Sequence, residues 1–154
     1  MKKKSKINSV DRRLIGRTAE NLFLSILSQK GITAAAFDTE GIDCIVFDLK
    51  KDFFQKGTSP FYVQIRCRNS VKQSWNSTGI GYSSIKKIRK IAKGLKINSK
   101  SVYYVVGFSN SNDIRTIKYF AYPIKDIHLK RKGQFRVYMK KCEEDVKMGI
   151  CYPL

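Results

Sequence analysis

A long amphipathic segment followed at once by three short apolar runs determines the fold class of this chain. Apolar residues recur every three or four positions from Val10 to Leu27, with Ser9 placed to cap the start, so the sequence predicts a helix from Ser9 that ends at Lys30 and Gly31. Three strand-like runs follow at residues 32–37, 43–49 and 61–67, separated by turn-forming residues. This order predicts a helix that leads into a β-meander.

The second half of the chain continues the mixture of helices and strands. Ile85, Ile88 and Leu95 form an apolar stripe among lysines and arginines, which predicts an amphipathic basic helix. Residues 102–108, 114–122 and 135–139 predict three further strands, whereas the polar segment 69–84 is predicted to be a long exposed loop. The C-terminal segment has no assignable pattern. We expect an α/β fold: a basic arm over residues 1–8, then a single domain over 9–154 with a central mixed β-sheet flanked by helices.

The chain is strongly basic. Its 31 Lys and Arg residues against 12 Asp and Glu give a formal net charge of +19 over 154 residues. A folded domain tolerates such an excess best when a polyanion neutralises it, so nucleic acid is the first expected partner and an acidic membrane surface is the alternative. The sequence has no apolar run of the about 18 residues that a membrane span needs, and no signal-peptide pattern. We expect a cytoplasmic protein that is nucleoid-associated when bound to DNA.

Cysteine and histidine usage excludes several kinds of site. The four cysteines show neither CxxC spacing nor a disulfide pattern, so they are expected to be reduced. His128 is the single histidine, which excludes His-rich zinc sites and hydrolytic chemistry that needs two imidazoles. We interpret His128 as a structural residue rather than a ligand.

Acidic residues are unevenly distributed along the chain. None lies between Phe53 and Asn112, whereas five fall within fifteen positions of one another: Asp38, Glu40, Asp43, Asp48 and Asp52. An acidic cluster beside a cationic stretch indicates a metal site at a phosphate-binding face. For Asp38, Glu40 and Asp52, a role in turns and strand ends is the favoured interpretation.

Four polar residues follow one another in an informative order. Glu20 lies inside the first predicted helix, Asp43 begins a predicted strand, and Gln64 and Arg66 alternate on the next strand, so these last two project from the same face. An adjacent strand can bring Asp43 alongside them. Taken singly, each is an ordinary surface residue, but their order within a domain of this charge favours a nuclease-type site.

These residues resemble the motifs of the PD-(D/E)XK nuclease superfamily, the restriction-endonuclease-like fold, and above all its small bacterial, phage and intron-encoded endonucleases. That group shows a helix of the type G-x-x-x-E, a glycine after it, a strand with a metal-binding Asp, and a strand V-(E/Q)-V-K. The matching positions are Gly16, Glu20, Gly31, Asp43 and the Val-Gln-Ile-Arg sequence of residues 63–66. The resemblance covers residues 12–127.

The resemblance implies a metal-dependent endodeoxyribonuclease that hydrolyses phosphodiester bonds. Asp43, Glu20 and Gln64 would hold Mg²⁺ or Mn²⁺, and Arg66 would stabilise the phosphate in the transition state. Two positions depart from the family pattern, because Gln64 replaces a carboxylate and Arg66 replaces a lysine; an arginine stays protonated and cannot act as a base. Two alternatives stay open: a nucleic-acid-binding module of the same fold without full catalytic competence, and a basic RNA-associated protein of unrelated fold.

The expected DNA-binding surface combines the arm over residues 1–8, the segment 69–84 and the basic helix. The predicted contact residues are Arg68, Lys72, Trp75, Lys86, Lys87, Arg89, Lys90 and Lys93. Since one such site cuts one strand, a homodimer or homotetramer is expected to cut both strands of a duplex. We expect no membrane partner and no small-molecule cofactor.

Overall fold

The structure is a computed structural model that describes residues 9–39, 41–69, 77–109 and 117–154; the side chains of residues 9–15, 38, 68–69, 77 and 109 lie outside that description. The α-helices are α1 Ser9–Gln29, α2 Tyr82–Gly94 and α3 Met139–Lys147. The strands are β1 Thr33–Thr39, β2 Ile42–Phe47, β3 Phe61–Asn69, β4 Ser77–Gly81, β5 Val102–Ser109, β6 Lys118–Pro123, β7 Gln134–Tyr138 and β8 Tyr152–Pro153. Short 3₁₀ helices cover Ser99–Ser101 and Ile124–Asp126.

Six strands form one mixed sheet in the order β1-β2-β3-β5-β6-β8. β3 and β5 are parallel, with Gln64 opposite Tyr104, and the other neighbouring pairs described in this sheet are antiparallel. β4 and β7 form a separate antiparallel pair. Because a parallel neighbour requires a crossover connection, the chain leaves the sheet between β3 and β5, and α2 lies in that connection.

α1 packs against one face of the sheet through a buried stripe. Ala19, Phe23 and Leu27 recur at the helical period and belong to the same apolar cluster as Val63 and Ile65 of β3. This packing places the middle of α1 over the strands that carry the candidate site.

The end of α1 turns the chain directly into β1. Gly31 has a φ of +73°, its N–H donates to the Ser28 carbonyl, and the N–H of Ile32 donates to the Leu27 carbonyl. These two bonds form a Schellman ending, which uses glycine because other residues are strained at positive φ. The predicted helix, including its stop at Lys30 and Gly31, is confirmed.

The opposite face of the sheet is covered by α2. Ile85, Ile88 and Ala92 are its buried residues, and they share an apolar cluster with Tyr104 and Val106 of β5. The predicted amphipathic basic helix is therefore confirmed, although it begins at Tyr82, three residues before the apolar stripe. Leu95 of the predicted stripe instead lies just past the helix end and is 53% exposed.

The predicted fold class, an α/β domain with a mixed sheet flanked by helices, is confirmed. The prediction of a loop over residues 69–84 is wrong, since β3 extends to Asn69, β4 occupies Ser77–Gly81 and α2 follows at once. β4 contains two glycines and a single large apolar residue, Ile80, and it pairs with β7, which is distant in sequence. A Cβ at Gly79 would lie 2.8 Å from the Phe135 carbonyl oxygen, so this pairing needs glycine there.

The chain end without an assignable pattern forms α3 and β8. The basic arm over residues 1–8 and the first three residues of the predicted strand 114–122 lie outside the described residues. All four cysteines are free, as predicted. Among the described helices, none has the length and apolar content that crossing a membrane would require.

Candidate active site

Asp43 and Gln64 lie side by side on neighbouring antiparallel strands. The last paired residues at this end of β2 and β3 are Cys44 and Val63, so Asp43 and Gln64 occupy the next position along, where the ladder ends. Oδ2 of Asp43 reaches across to β3 and accepts a hydrogen bond from the backbone N–H of Ile65 at 2.6 Å. The structure therefore brings these two predicted site residues together.

Neighbouring groups offset only part of the cost of burying the charged Asp43 carboxylate. Burial raises the pKa of this carboxyl above its ordinary value of 3.8, and the hydrogen bond from Ile65 and the positive charge of Arg66 oppose that effect only in part. An additional positive charge beside Asp43 would favour the ionised form. The surroundings of Asp43 are thus suited to a cation.

Gln64 is the second under-satisfied residue at this end of the sheet. It is 6% exposed, and its Oε1 atom is buried without a hydrogen-bond partner among the described residues. Leaving a buried acceptor unsatisfied costs about 1–3 kcal/mol, and most such groups have a partner. An amide oxygen is a good ligand for a hard cation, so one cation could satisfy both Asp43 and Gln64.

Glu20 approaches the same two strands from α1, where it is half-buried. Burial, then the charges of Asp43 and Glu20, raise the pKa of the Cys44 thiol on β2 to about 12. Burial, and after it the charge of Glu20, raises the pKa of the Cys67 thiol on β3 to about 12. Glu20 is therefore close enough to act on residues of both strands that carry Asp43 and Gln64.

Tyr119 and Gly107 support the helical turn that carries Glu20. The buried Tyr119 hydroxyl of β6 donates to the Ala19 carbonyl oxygen at 2.8 Å. A Cβ at Gly107 would lie 2.7 Å from Cys67 Sγ and 2.9 Å from the Tyr119 ring, so glycine leaves the room that both side chains occupy. Sequence reasoning missed both residues; the available signal was a lone glycine among the bulky residues of 103–108. At Gly16, by contrast, a Cβ would have no neighbouring atom within 4 Å, so packing does not require glycine there.

Arg66 lies two residues beyond Gln64 on β3, and therefore on the same side of that strand. Its side chain is exposed, and Nη1 donates to the Ile65 carbonyl oxygen at 3.3 Å. Its charge is near enough to lower the pKa of Asp43. The site therefore combines carboxylate and amide oxygens with a cation that stays protonated.

Of the other acids in the predicted metal cluster, those whose side chains the structure describes do not join Asp43. The prediction is wrong for Asp48, which is 1% exposed and accepts three backbone N–H groups of residues 52–54 at 2.8–3.1 Å. Glu40 and the side chain of Asp38 lie outside the description, and Asp52 is exposed. Across residues 9–39, 41–69, 77–109 and 117–154, no group of three or more His, Cys, Asp or Glu could hold a metal ion. A metal here would depend on two carboxylates and the Gln64 amide.

The predicted DNA-contact residues fall into three groups. Exposed positions of α2 carry Lys86, Lys87, Lys90 and Lys93. Arg89 is also exposed, but its Nη2 donates to the carbonyl oxygens of Ile124 at 3.0 Å and Ile127 at 2.9 Å, so it also ties α2 to the 3₁₀ helix after β6. Lys72, Trp75 and the side chain of Arg68 lie outside the described residues.

No protein-family model matches the sequence, and no curated protein matches it. Among solved structures, the chain is similar to Hjc, a Holliday junction resolvase from the archaeal hyperthermophile Archaeoglobus fulgidus, with a TM-score of 0.51 and 12% identity over 84% of this chain and 88% of that chain. At this identity the likeness is one of fold, and it removes the alternative of an unrelated fold. The order of the strands, the helices on both faces and this likeness confirm the predicted restriction-endonuclease-like fold.

Proposed function

We propose that this chain is a divalent-metal-dependent nuclease that hydrolyses phosphodiester bonds in DNA. The observation that carries the proposal is a pair of under-satisfied groups on neighbouring strands. Burial raises the pKa of Asp43, and the buried Oε1 of Gln64 has no partner in the described chain. Two such groups side by side destabilise the fold unless a ligand supplies the interactions that they lack.

The donor set suits Mg²⁺ or Mn²⁺. Asp43 and Glu20 supply carboxylate oxygens and Gln64 supplies an amide oxygen, and hard divalent cations prefer oxygen ligands. When bound, such a cation polarises the phosphodiester and lowers the pKa of a coordinated water. Tyr119 and Gly107 keep Glu20 in position for this role through the packing beneath α1.

Arg66 stabilises the phosphate group as negative charge develops on it. A guanidinium can donate two parallel hydrogen bonds to phosphate oxygens, which adds orientation to charge. Because it stays protonated, Arg66 does not take the proton from the attacking water. Its part in the reaction is electrostatic.

DNA is the substrate that the charge of the molecule favours. The exposed lysines of α2 neutralise phosphates, and a net charge of +19 attracts a polyanion from a distance. The solved structure that this fold resembles is a Holliday junction resolvase, so four-way junctions belong in the substrate set beside plasmid DNA. A cytoplasmic homodimer or homotetramer would place two sites on one duplex.

A DNA-binding module of the same fold without catalysis is the second candidate. The identities of Gln64 and Arg66 favour it, because Gln64 removes one negative charge from the metal ligands and Arg66 replaces the lysine of the family motif. Such a module would bind DNA equally well with and without Mg²⁺.

A cleavage assay separates the two candidates. Supercoiled plasmid and a labelled four-way junction are incubated with wild-type protein and Asp43→Ala, each with Mg²⁺, Mn²⁺ or chelator, and DNA binding and sedimentation are measured on the same preparations. The nuclease predicts metal-dependent products from the wild type and none from Asp43→Ala. Intact binding without cleavage in any metal would establish the module instead. Products that persist with Asp43→Ala would contradict the proposed site.

A further inference from the structure

A cavity on the α2 side of the sheet is separate from the candidate active site. It lies between α2 and the two 3₁₀ helices, and its volume is about 580 Å³, within the range of about 300–1,000 Å³ typical of ligand sites. Val102, one of its lining residues, pairs with Tyr62 at the start of β3. Gln64 and Arg66 lie two and four residues further along β3, which is roughly 7 and 13 Å.

The cavity combines an apolar floor with a cationic rim. Ile88, Ala92, Val102 and Ile124 supply buried apolar surface. Its charged lining residues are all cations, Arg89, Lys93 and Lys125, and no carboxylate lines it in the described chain. The chemistry that fits is an anion with an apolar body.

Two planar polar groups in the cavity lining narrow the class of ligand further. Nη2 of Arg89 donates to the carbonyl oxygens of Ile124 and Ile127, so the guanidinium is anchored at this atom before any ligand arrives. His128 adds an imidazole. Nucleobases stack on guanidinium planes and on aromatic rings, including histidine. An alkyl chain would gain nothing specific from either group, so a nucleobase fits this lining better than a lipid.

The position of the cavity on α2 connects it with the cationic surface. Lys86, Lys90 and Lys93 are spaced by four and three residues, so they form one stripe along α2, and Lys93 lines the cavity. A nucleic-acid strand whose phosphates follow this stripe passes the cavity mouth.

We propose that this cavity accepts one unstacked nucleotide of a single-stranded nucleic acid bound along α2. The base lies on the apolar floor against Arg89 and His128, and the adjoining phosphate lies near Lys93 and Lys125. The proposal rests on the proposed function only in taking nucleic acid as the partner, and it assigns to His128 a contact with the ligand.

The test compares an intact single-stranded oligonucleotide with one of equal length that lacks its central bases, so that both carry the same number of phosphates. Binding is followed by fluorescence anisotropy. The wild type should bind the intact strand at least about fivefold more tightly, because stacking contributes substantially per base. Equal affinities in the wild type would overturn the proposal.

Ser99→Leu is the decisive variant, because Ser99 is exposed at the cavity and a leucine there narrows its mouth without removing a charge or adding a ring on which a base could stack. It should lose most of the preference for the intact strand while keeping wild-type affinity for duplex DNA. The matched control is Ser28→Leu, at an exposed position near the end of α1, which should keep the preference for the intact strand. A full preference that survives in Ser99→Leu, or is lost in both variants, would contradict the assignment.

Three outcomes separate this inference from the proposed function and from a lipid ligand. Failure of the wild type to bind any DNA would overturn both. Plasmid cleavage by the wild type together with equal binding of the two strands would overturn the cavity assignment alone. Vesicles of anionic lipid that bind the wild type but not Ser99→Leu would show that the cavity takes a lipid instead of a nucleotide.

Discussion

Asp43 and Asp48 lie at opposite ends of β2, and they differ in the number of hydrogen-bond donors that reach them. Three backbone N–H groups surround the carboxylate of Asp48, which is 1% exposed. Asp43 receives one backbone N–H, from Ile65, and burial raises its pKa. A buried carboxylate that receives enough hydrogen bonds from the chain stabilises a loop. One that receives too few is available to bind a cation.

The largest expected effect is on catalysis at Asp43. Asp43→Asn keeps an oxygen that can accept from Ile65 but removes a charge from the metal ligands, so cleavage should fall by at least about 10³-fold, since metal stabilisation is worth several kcal/mol. Plasmid cleavage under single-turnover conditions measures it. Asp48→Asn is the matched control and should retain cleavage per folded molecule; an equal loss in both variants would remove the distinction between the two ends of β2.

For the stability of the fold, we expect the substitution at Asp48 to have the large effect. Asp48→Asn replaces charge-assisted hydrogen bonds to residues 52–54 with weaker ones and presents an amide N–H₂ to donors, so we expect unfolding free energy to fall by about 2–4 kcal/mol. Urea denaturation measures this, with Asp52→Asn, an exposed acid beside it, as the control. A loss for Asp48→Asn no greater than that of the control would show that the three bonds contribute little.

The sequence could place Glu20, Asp43, Gln64 and Arg66 in the correct elements because the information is local. Helical and strand periods locate each residue, and one hairpin register brings Asp43 beside Gln64. The roles of Asp48 and of the supporting pair Tyr119 and Gly107 could not be found in this way. The donors to Asp48 come from an irregular segment without a period, and the other two residues act across strands that are paired only in the tertiary structure.

Arg66 provides the next test, because it is the cation already present beside Asp43. Arg66→Ala should reduce cleavage by about 10²-fold, as loss of an electrostatic stabiliser does, and Arg66→Lys should retain most of it. The measured quantity is the single-turnover rate at saturating DNA, which separates the chemical step from weaker binding. If the wild type is inactive, Arg66→Lys combined with Gln64→Glu should restore some cleavage, and inactivity of this double variant would point to a defect elsewhere in the site.

The smallest expected effect is the pH dependence of stability that Asp43 contributes without metal. Because burial raises its pKa above 3.8 in the folded state, the folded protein binds the proton more tightly than the unfolded chain does. The resulting penalty is present above the folded pKa and disappears as pH falls toward 3.8, so Asp43→Asn should stabilise the protein at neutral pH and lose this advantage in acid. Thermal unfolding in chelator at several pH values measures it, as a Tm of Asp43→Asn that exceeds that of the wild type at neutral pH and equals it in acid. Mg²⁺ at neutral pH should stabilise the wild type and leave Asp43→Asn nearly unchanged. A lower Tm for Asp43→Asn at neutral pH would show instead that the charged hydrogen bond to Ile65 outweighs burial, and Asp43 would then belong with Asp48 among the structural carboxylates.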